Sequence, residues 1–198
     1  EKTDFEWLLL EYNKLKAENS EHLMKITGYS NLGLTNIYRE FLRDSFKKKL
    51  EEVTQDSVIT IDILQTFAPN LEFFKETLIE CLEKGVNIRV LLSWTKSPAA
   101  KIRQKALRRY NVKDEVMRNL ATLQEIFEYI RTGSYSGSLE VRLYNFMPSI
   151  SMYRINDYFL VGFFLHGRLA VDSFQLELTG MDTTLVKGCF GEFNKIWD

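Results

Sequence analysis

Leu139–Tyr144 alternates apolar and polar side chains, Leu-Glu-Val-Arg-Leu-Tyr. That period of two predicts a strand with one covered face. Asn145–Ser151 follows with a proline and several small or polar residues, and predicts a loop. Met152–Ile155 and Tyr158–Phe164 are short β-prone runs, and Asn156-Asp157 between them predicts a two-residue hairpin turn. Ser57–Leu64 and Asn87–Trp94 are more continuously apolar. In the first of these, Ile59, Ile61 and Ile63 face one way and Val58, Thr60, Asp62 and Leu64 the other, so both sides are expected to be covered, as in an α/β sheet. Between them Leu71–Lys84 has helical character, with Asn70 placed to cap its start and Gly85 its end. A strand–helix–strand unit of that length predicts a right-handed crossover and a parallel pair.

The other periodic segments fill in the frame. Asn36–Glu52 reads as a helix with Ile37, Phe41, Leu42, Phe46 and Leu50 on one face. Gly28–Thr35 before it reads as a loop. Pro98 opens a helix running to about Tyr110, and Asp114–Arg131 forms another, with Val116, Leu120, Leu123, Phe127 and Ile130 on its apolar face. Gly133–Ser138 is a loop, Ser173–Thr179 a strand, and a closing helix starts at Asp182 or Thr183 and carries Phe190, Phe193 and Trp197. The fold class is α/β: a mixed sheet flanked by helices, with an N-terminal helix.

That first helix spans about Phe5 to Ile26. Leu8, Tyr12, Leu15, Asn19, His22 and Ile26 fall alternately four and three residues apart, the spacing of a heptad seam. Asn19 would set the register of a two-stranded coil; packing of the helix on its own domain is the other arrangement. The division expected is therefore 1–27, a helix serving as linker or coiled coil from an upstream module, and 28–198, the α/β domain.

Composition narrows the class. The 198 residues carry 26 basic and 27 acidic side chains, a net charge of −1, and 45% are hydrophobic, ordinary for a chain with a packed core. No apolar run approaches a membrane span and no secretory leader pattern opens the chain, so the expected setting is the cytoplasm. Cys81 and Cys189 read as buried free thiols, with a disulfide between them as the alternative. Two cysteines and two distant histidines give no metal-ligand spacing, and neither metal nor cofactor is expected. The most basic stretch, Lys96–Lys113, reads as a solvated face offset by Asp114, Glu115, Glu125 and Glu128, with Tyr110 its single aromatic residue, short of the interleaving that base stacking needs. Nucleic-acid binding by this stretch stands as the alternative.

An open α/β sheet holds ligands beyond the carboxyl ends of its parallel strands. Gln65–Asn70, Trp94–Ser97 and Asn145–Ser151 are expected to meet there, with Arg154, His166 and Arg168 near enough to supply positive charge. Arginine forks suit a phosphate or carboxylate, so a small anionic or nucleotide-like ligand clamped by Arg154 and Arg168 is one expectation. Pairing of Arg154 with Asp62, Asp157 or Asp172 is the alternative. Neither a glycine-rich phosphate loop nor a Gly-x-Ser-x-Gly elbow occurs. A triad of Ser149 or Ser151 with His166 and Asp157 is conceivable on paper only.

Val141-Arg142-Leu143 leading into a loop, the hairpin ending Phe159-Leu160-Val161-Gly162, and Gly85–Leu92 after a helix together resemble a phospholipase D-like domain of the HxKxxxxD superfamily, over roughly residues 35–198. With Asn156 on the family's aspartate, Ser149 falls on its histidine and Ser151 on its lysine. The motif becomes Ser-x-Ser-x-x-x-x-Asn, so the family's phosphodiesterase chemistry loses its nucleophile and its phosphate-holding lysine. Arg154 and His166-Gly167-Arg168 are similar to a bacterial subgroup of the same fold. The resemblance implies a non-catalytic sensor or interaction module in signalling. The family sets two half-domains face to face, which implies a homodimer. Its ligand site would draw on Ser149, Ser151, Arg154, Asn156, His166 and Arg168. An enzyme of altered chemistry using His166, and a purely structural dimerisation domain, are the competing expectations.

Overall fold

The computed structural model describes residues 28–29, 31–54, 59–133 and 135–198. The expected N-terminal helix with its heptad seam, and the first residues of the strand expected from Ser57, lie outside the described residues.

Seven strands form one mixed sheet: β1 (Leu34–Tyr38), β2 (Thr60–Leu64), β3 (Asn87–Ser93), β4 (Ser138–Tyr144), β5 (Ile150–Ile155), β6 (Tyr158–Phe163) and β7 (Gln175–Thr179). Among the described residues five helices flank it: α1 (Arg43–Glu51), α2 (Leu71–Glu83), α3 (Pro98–Ala106), α4 (Val112–Thr132) and α5 (Thr184–Trp197). Across the sheet the order is β1-β7-β6-β5-β2-β3-β4. β2, β3 and β4 are mutually parallel, while β5 runs antiparallel to β2, and β6, β7 and β1 continue antiparallel.

The continuous apolar runs of β2 and β3 produce two core layers. Ile61, Ile63, Ile88, Val90, Tyr153 and Leu160 pack with residues of α1, α2, α3 and α4 on one face. Leu64, Leu91, Met152, Phe159 and Val161 pack under α5 on the other, against Val186, Phe193 and Trp197. A fully buried residue such as Phe46 or Leu50 contributes on the order of 2 kcal/mol by transfer from water.

Turn and cap chemistry agrees with the local sequence at three places. Asn156, the non-glycine residue with positive φ (51°), forms the β5–β6 turn, a conformation asparagine tolerates. Gly85 closes α2 at φ 89°. Ser97 caps α3 by accepting the Ala100 N–H at 3.0 Å.

The structure departs from the local reading elsewhere. Leu34–Tyr38 is a strand, not loop and helix, because β7 offers it a ladder from Leu34↔Leu178 to Tyr38↔Gln175. Helix α1 therefore begins at Arg43. Ile37, expected on the buried helix face, is 59% exposed on this edge strand, while Phe41, Phe46 and Leu50 are buried. α3 stops at Ala106, and α4 starts at Val112 with Asn111 accepting the Asp114 N–H at 3.4 Å. Asn70 makes no side-chain cap on α2.

Candidate functional site

The carboxyl ends of β2, β3 and β4 bring together the three loops expected there. Ser93 N–H donates to Thr66 O at 3.0 Å, Trp94 N–H to Tyr144 O at 2.7 Å, and the Tyr144 hydroxyl to Gln65 O at 3.1 Å. The crevice beneath them is filled. Arg103, only 3% exposed, reaches in from α3 and donates to Leu165 O at 3.0 Å and Arg168 O at 3.2 Å, with its guanidinium 5.1 Å from the Phe164 ring. Burial lowers its pKa, and no carboxylate pairs with it among the described residues. About 10 Å³ of free space remains between Arg103, Thr66 and the Phe164–Val171 loop, room for about one water molecule. Thr66 Oγ1, Ser93 Oγ and Arg103 Nε are buried without hydrogen-bond partners.

The six residues expected to share a ligand occupy three separate places. Ser149 and Ser151 stand at this end of the sheet. Ser149 is exposed, its N–H 3.4 Å from Glu192 Oε1 on α5. Ser151 is buried beside Gln175, and a Cβ on Gly162 would meet Ser151 Oγ at 2.7 Å and Gln175 Nε2 at 2.6 Å. That crowding explains the glycine ending the β6 apolar run.

Arg154 and Asn156 lie toward the opposite end. The Arg154 Nη1 donates to Asp62 Oδ2 and its Nε to Asn156 O, while Asn156 Oδ1 accepts the Thr60 N–H at 3.0 Å. From β3, Arg89 forks onto the same carboxylate, Nε to Oδ1 at 2.7 Å and Nη2 to Oδ2 at 2.9 Å. Asp62 is fully buried. Helix α5 covers this row with aromatic rings at helical spacing: Arg154 lies 4.2 Å from Phe190, and Arg89 4.7 Å from Phe193 and 5.2 Å from Trp197. The Arg154–Asp62 pairing is thus the arrangement present. Asp157, in the β5–β6 turn, lines a different groove from His166, so the serine–histidine–aspartate triad does not assemble.

His166 and Arg168 belong to the loop after β6. Gly167 N–H donates to Ala106 O at 3.1 Å and holds this loop against the end of α3. His166 lines a 390 Å³ groove with Arg108, Arg109 and Tyr110. Over the same corner a second groove, of 720 Å³, is lined by Lys101, Lys105, Arg108, Arg109 and Lys113. Gln104 shapes it: its Nε2 donates to Tyr110 O at 2.7 Å and its Oε1 accepts the Val112 N–H at 2.8 Å. None of the five cations pairs with a carboxylate among the described residues.

The acids expected to offset them are engaged elsewhere. Glu115 bonds Arg118, Glu125 bonds Lys75, Glu128 bonds Arg131, and Asp114 accepts from Asn111. Local sequence supplied the cations; which acids would be withdrawn was not visible in it.

No family model and no curated protein matches the chain. Among solved structures it is similar to TrmBL2, an archaeal chromatin protein whose structure shows a novel mode of DNA binding, at 16% identity and a TM-score of 0.47. The match covers 99% of this chain and 65% of that one, and a likeness of that degree carries no functional inference.

Proposed function

We propose that this chain is a non-catalytic, phospholipase D-like sensor or interaction module, homodimeric, that binds an anionic phosphate-bearing ligand at the α3–α4 corner. The observation that carries the reading is the 720 Å³ groove with five cations unpaired among the described residues. Cations gathered without acids create a local positive potential that draws anions and is weakened by salt. His166, on the adjoining groove, adds an imidazole within the same surface.

Absence of turnover is supported by the crevice at the carboxyl ends of the strands. The positions aligned with the family's histidine and lysine carry Ser149 and Ser151. Neither lines the groove that holds His166, so that imidazole is not in place to activate either hydroxyl. The space beside Arg103 and Thr66, about 10 Å³, does not admit a phosphodiester.

The test is a thermal-shift titration with inorganic pyrophosphate, mononucleotides and a short oligonucleotide, at two salt concentrations. A ligand at a hundred times its dissociation constant stabilises by about 2.7 kcal/mol. The expected result is a salt-sensitive shift that disappears in Lys105→Glu/Arg109→Glu. A shift of equal size in that variant, or none with any of the three, refutes the ligand site. Hydrolysis of a phosphodiester substrate that is lost in His166→Ala refutes the non-catalytic half.

A further inference from the structure

The two edges of the sheet are built differently. β1 is five residues long and its register with β7 shifts between Leu34 and Asn36, an irregularity of the kind that blunts an edge. β4 is seven residues long, holds an unbroken register with β3 from Asn87↔Ser138 to Ser93↔Tyr144, and contains neither proline nor glycine. Its outer side has no strand neighbour among the described residues. Val141 and Leu143 are 37% and 45% exposed, and the chain beyond the strand continues with Phe146 and Met147, also exposed. A long edge with an unbroken register and exposed apolar side chains is a template for pairing with another strand.

The backbone bonds show which groups are free. Ser138 N–H donates to Val86 O and Tyr144 O accepts from Trp94 N–H. In a parallel ladder alternate residues carry the bonds to the neighbour, so the even-numbered residues of β4 face β3. Leu139, Val141 and Leu143 therefore turn their N–H and C=O groups outward.

We propose that β4 is a homodimer interface, pairing antiparallel with β4 of a second copy about a two-fold axis at Val141. That register sets Val141 opposite Val141 of the partner subunit and Leu139 opposite the partner's Leu143, each pair exchanging both backbone bonds. It also places Glu140 opposite the partner's Arg142 in the closer, non-hydrogen-bonded position, once on each side of the axis. Moving the axis by one residue opposes Glu140 to itself in one direction and Arg142 to itself in the other, and like charges directly opposite are destabilising. Charge thus favours this register over its two immediate neighbours. On the opposite face the pairing covers Val141 and Leu143 with their symmetry copies. Glu140 has no ion-pair partner among the described residues, and Arg142 bonds Trp197 O, which leaves it anchored beside the axis.

This inference rests on the dimeric part of the reading above and is independent of its ligand site. The test is amide hydrogen exchange on the full chain at two concentrations, with sedimentation equilibrium beside it. Exchange at Leu139, Val141 and Leu143 is expected to slow at least about tenfold at the higher concentration. Glu140→Arg should weaken association by about tenfold, and Glu140→Arg/Arg142→Glu should restore most of it. Val141→Pro removes one outward donor, leaves the β3 ladder intact, and should also weaken association. A dimer whose three outward amides exchange freely overturns the edge pairing and leaves the dimeric reading standing. A monomer at both concentrations overturns both. Protected amides with association unchanged in Glu140→Arg overturn the register.

Discussion

Two groups of cations in this protein make an instructive pair. Beneath α5, Arg154 and Arg89 share one buried carboxylate and lie against three aromatic rings. At the α3–α4 corner, Lys101, Lys105, Arg108, Arg109 and Lys113 surround an open groove, and nearby acids are held by other partners. The first group is desolvated, so its charges must be matched within the protein. The second stays in water, where an unmatched cation costs little and remains available to a ligand. Exposure and pairing, more than residue type, separate an arginine held by the protein from one left open to water.

Variants can break or sharpen that contrast. Asp62→Ala leaves two arginines beneath α5 without their carboxylate, and should cost about 3–5 kcal/mol in urea denaturation. A loss under 1 kcal/mol would mean the row is solvated and the contrast false. Arg154→Ala keeps the Arg89 fork on Asp62 and should cost less, about 2 kcal/mol. It should also cost more than Arg89→Ala, because the Arg154 side chain is 9% exposed and that of Arg89 21%. The reverse order would show that α5 rests mainly on Arg89. At the corner, Lys105→Glu/Arg109→Glu should leave stability within about 0.5 kcal/mol while removing the salt-sensitive ligand shift. A large loss of stability there would make those cations structural after all.

A smaller effect comes from the thiols. Burial pushes both Cys81 and Cys189 from the ordinary 9.0 up to about 11. A raised folded pKa favours the protonated form. The associated stability is therefore complete below about pH 9, and is lost as pH rises through about 11. Labelling by an aromatic disulfide reagent at pH 8 should be much slower than for the unfolded chain, and should accelerate toward pH 11. Equal rates folded and unfolded at pH 8 would place the thiols in water.

The Arg154–Asp62 contact shows why the candidate site was only half legible. The sequence reading allowed Arg154 either a ligand or one of three aspartates. The choice was made by β2 and β5 becoming neighbours, which brings together residues separated by 92 positions. His166 fared differently: it was expected beside the carboxyl ends of the strands, but the Gly167–Ala106 bond draws its loop onto α3. The basic stretch was visible from its composition, yet its neutralising acids were assigned by proximity in sequence and are bonded along or between helices instead.

What the chain determined by itself was local. Alternation specified β4 as a strand, though not the covered face it implied, since Val141 and Leu143 are exposed; continuous apolar runs specified β2 and β3 as doubly covered strands, and Asn156 and Gly85 supplied the positive φ angles that their turns require. These depend on a few neighbouring residues and on backbone sterics. Only the tertiary structure decided that Leu34–Tyr38 is a strand, that Asp62 holds two arginines, and that, among the described residues, five cations at one corner have no acid and β4 has no outer strand. Each of those depends on which segment lies alongside, and hydrogen bonding, ion pairing and burial are satisfied by neighbours in space whatever their distance along the chain.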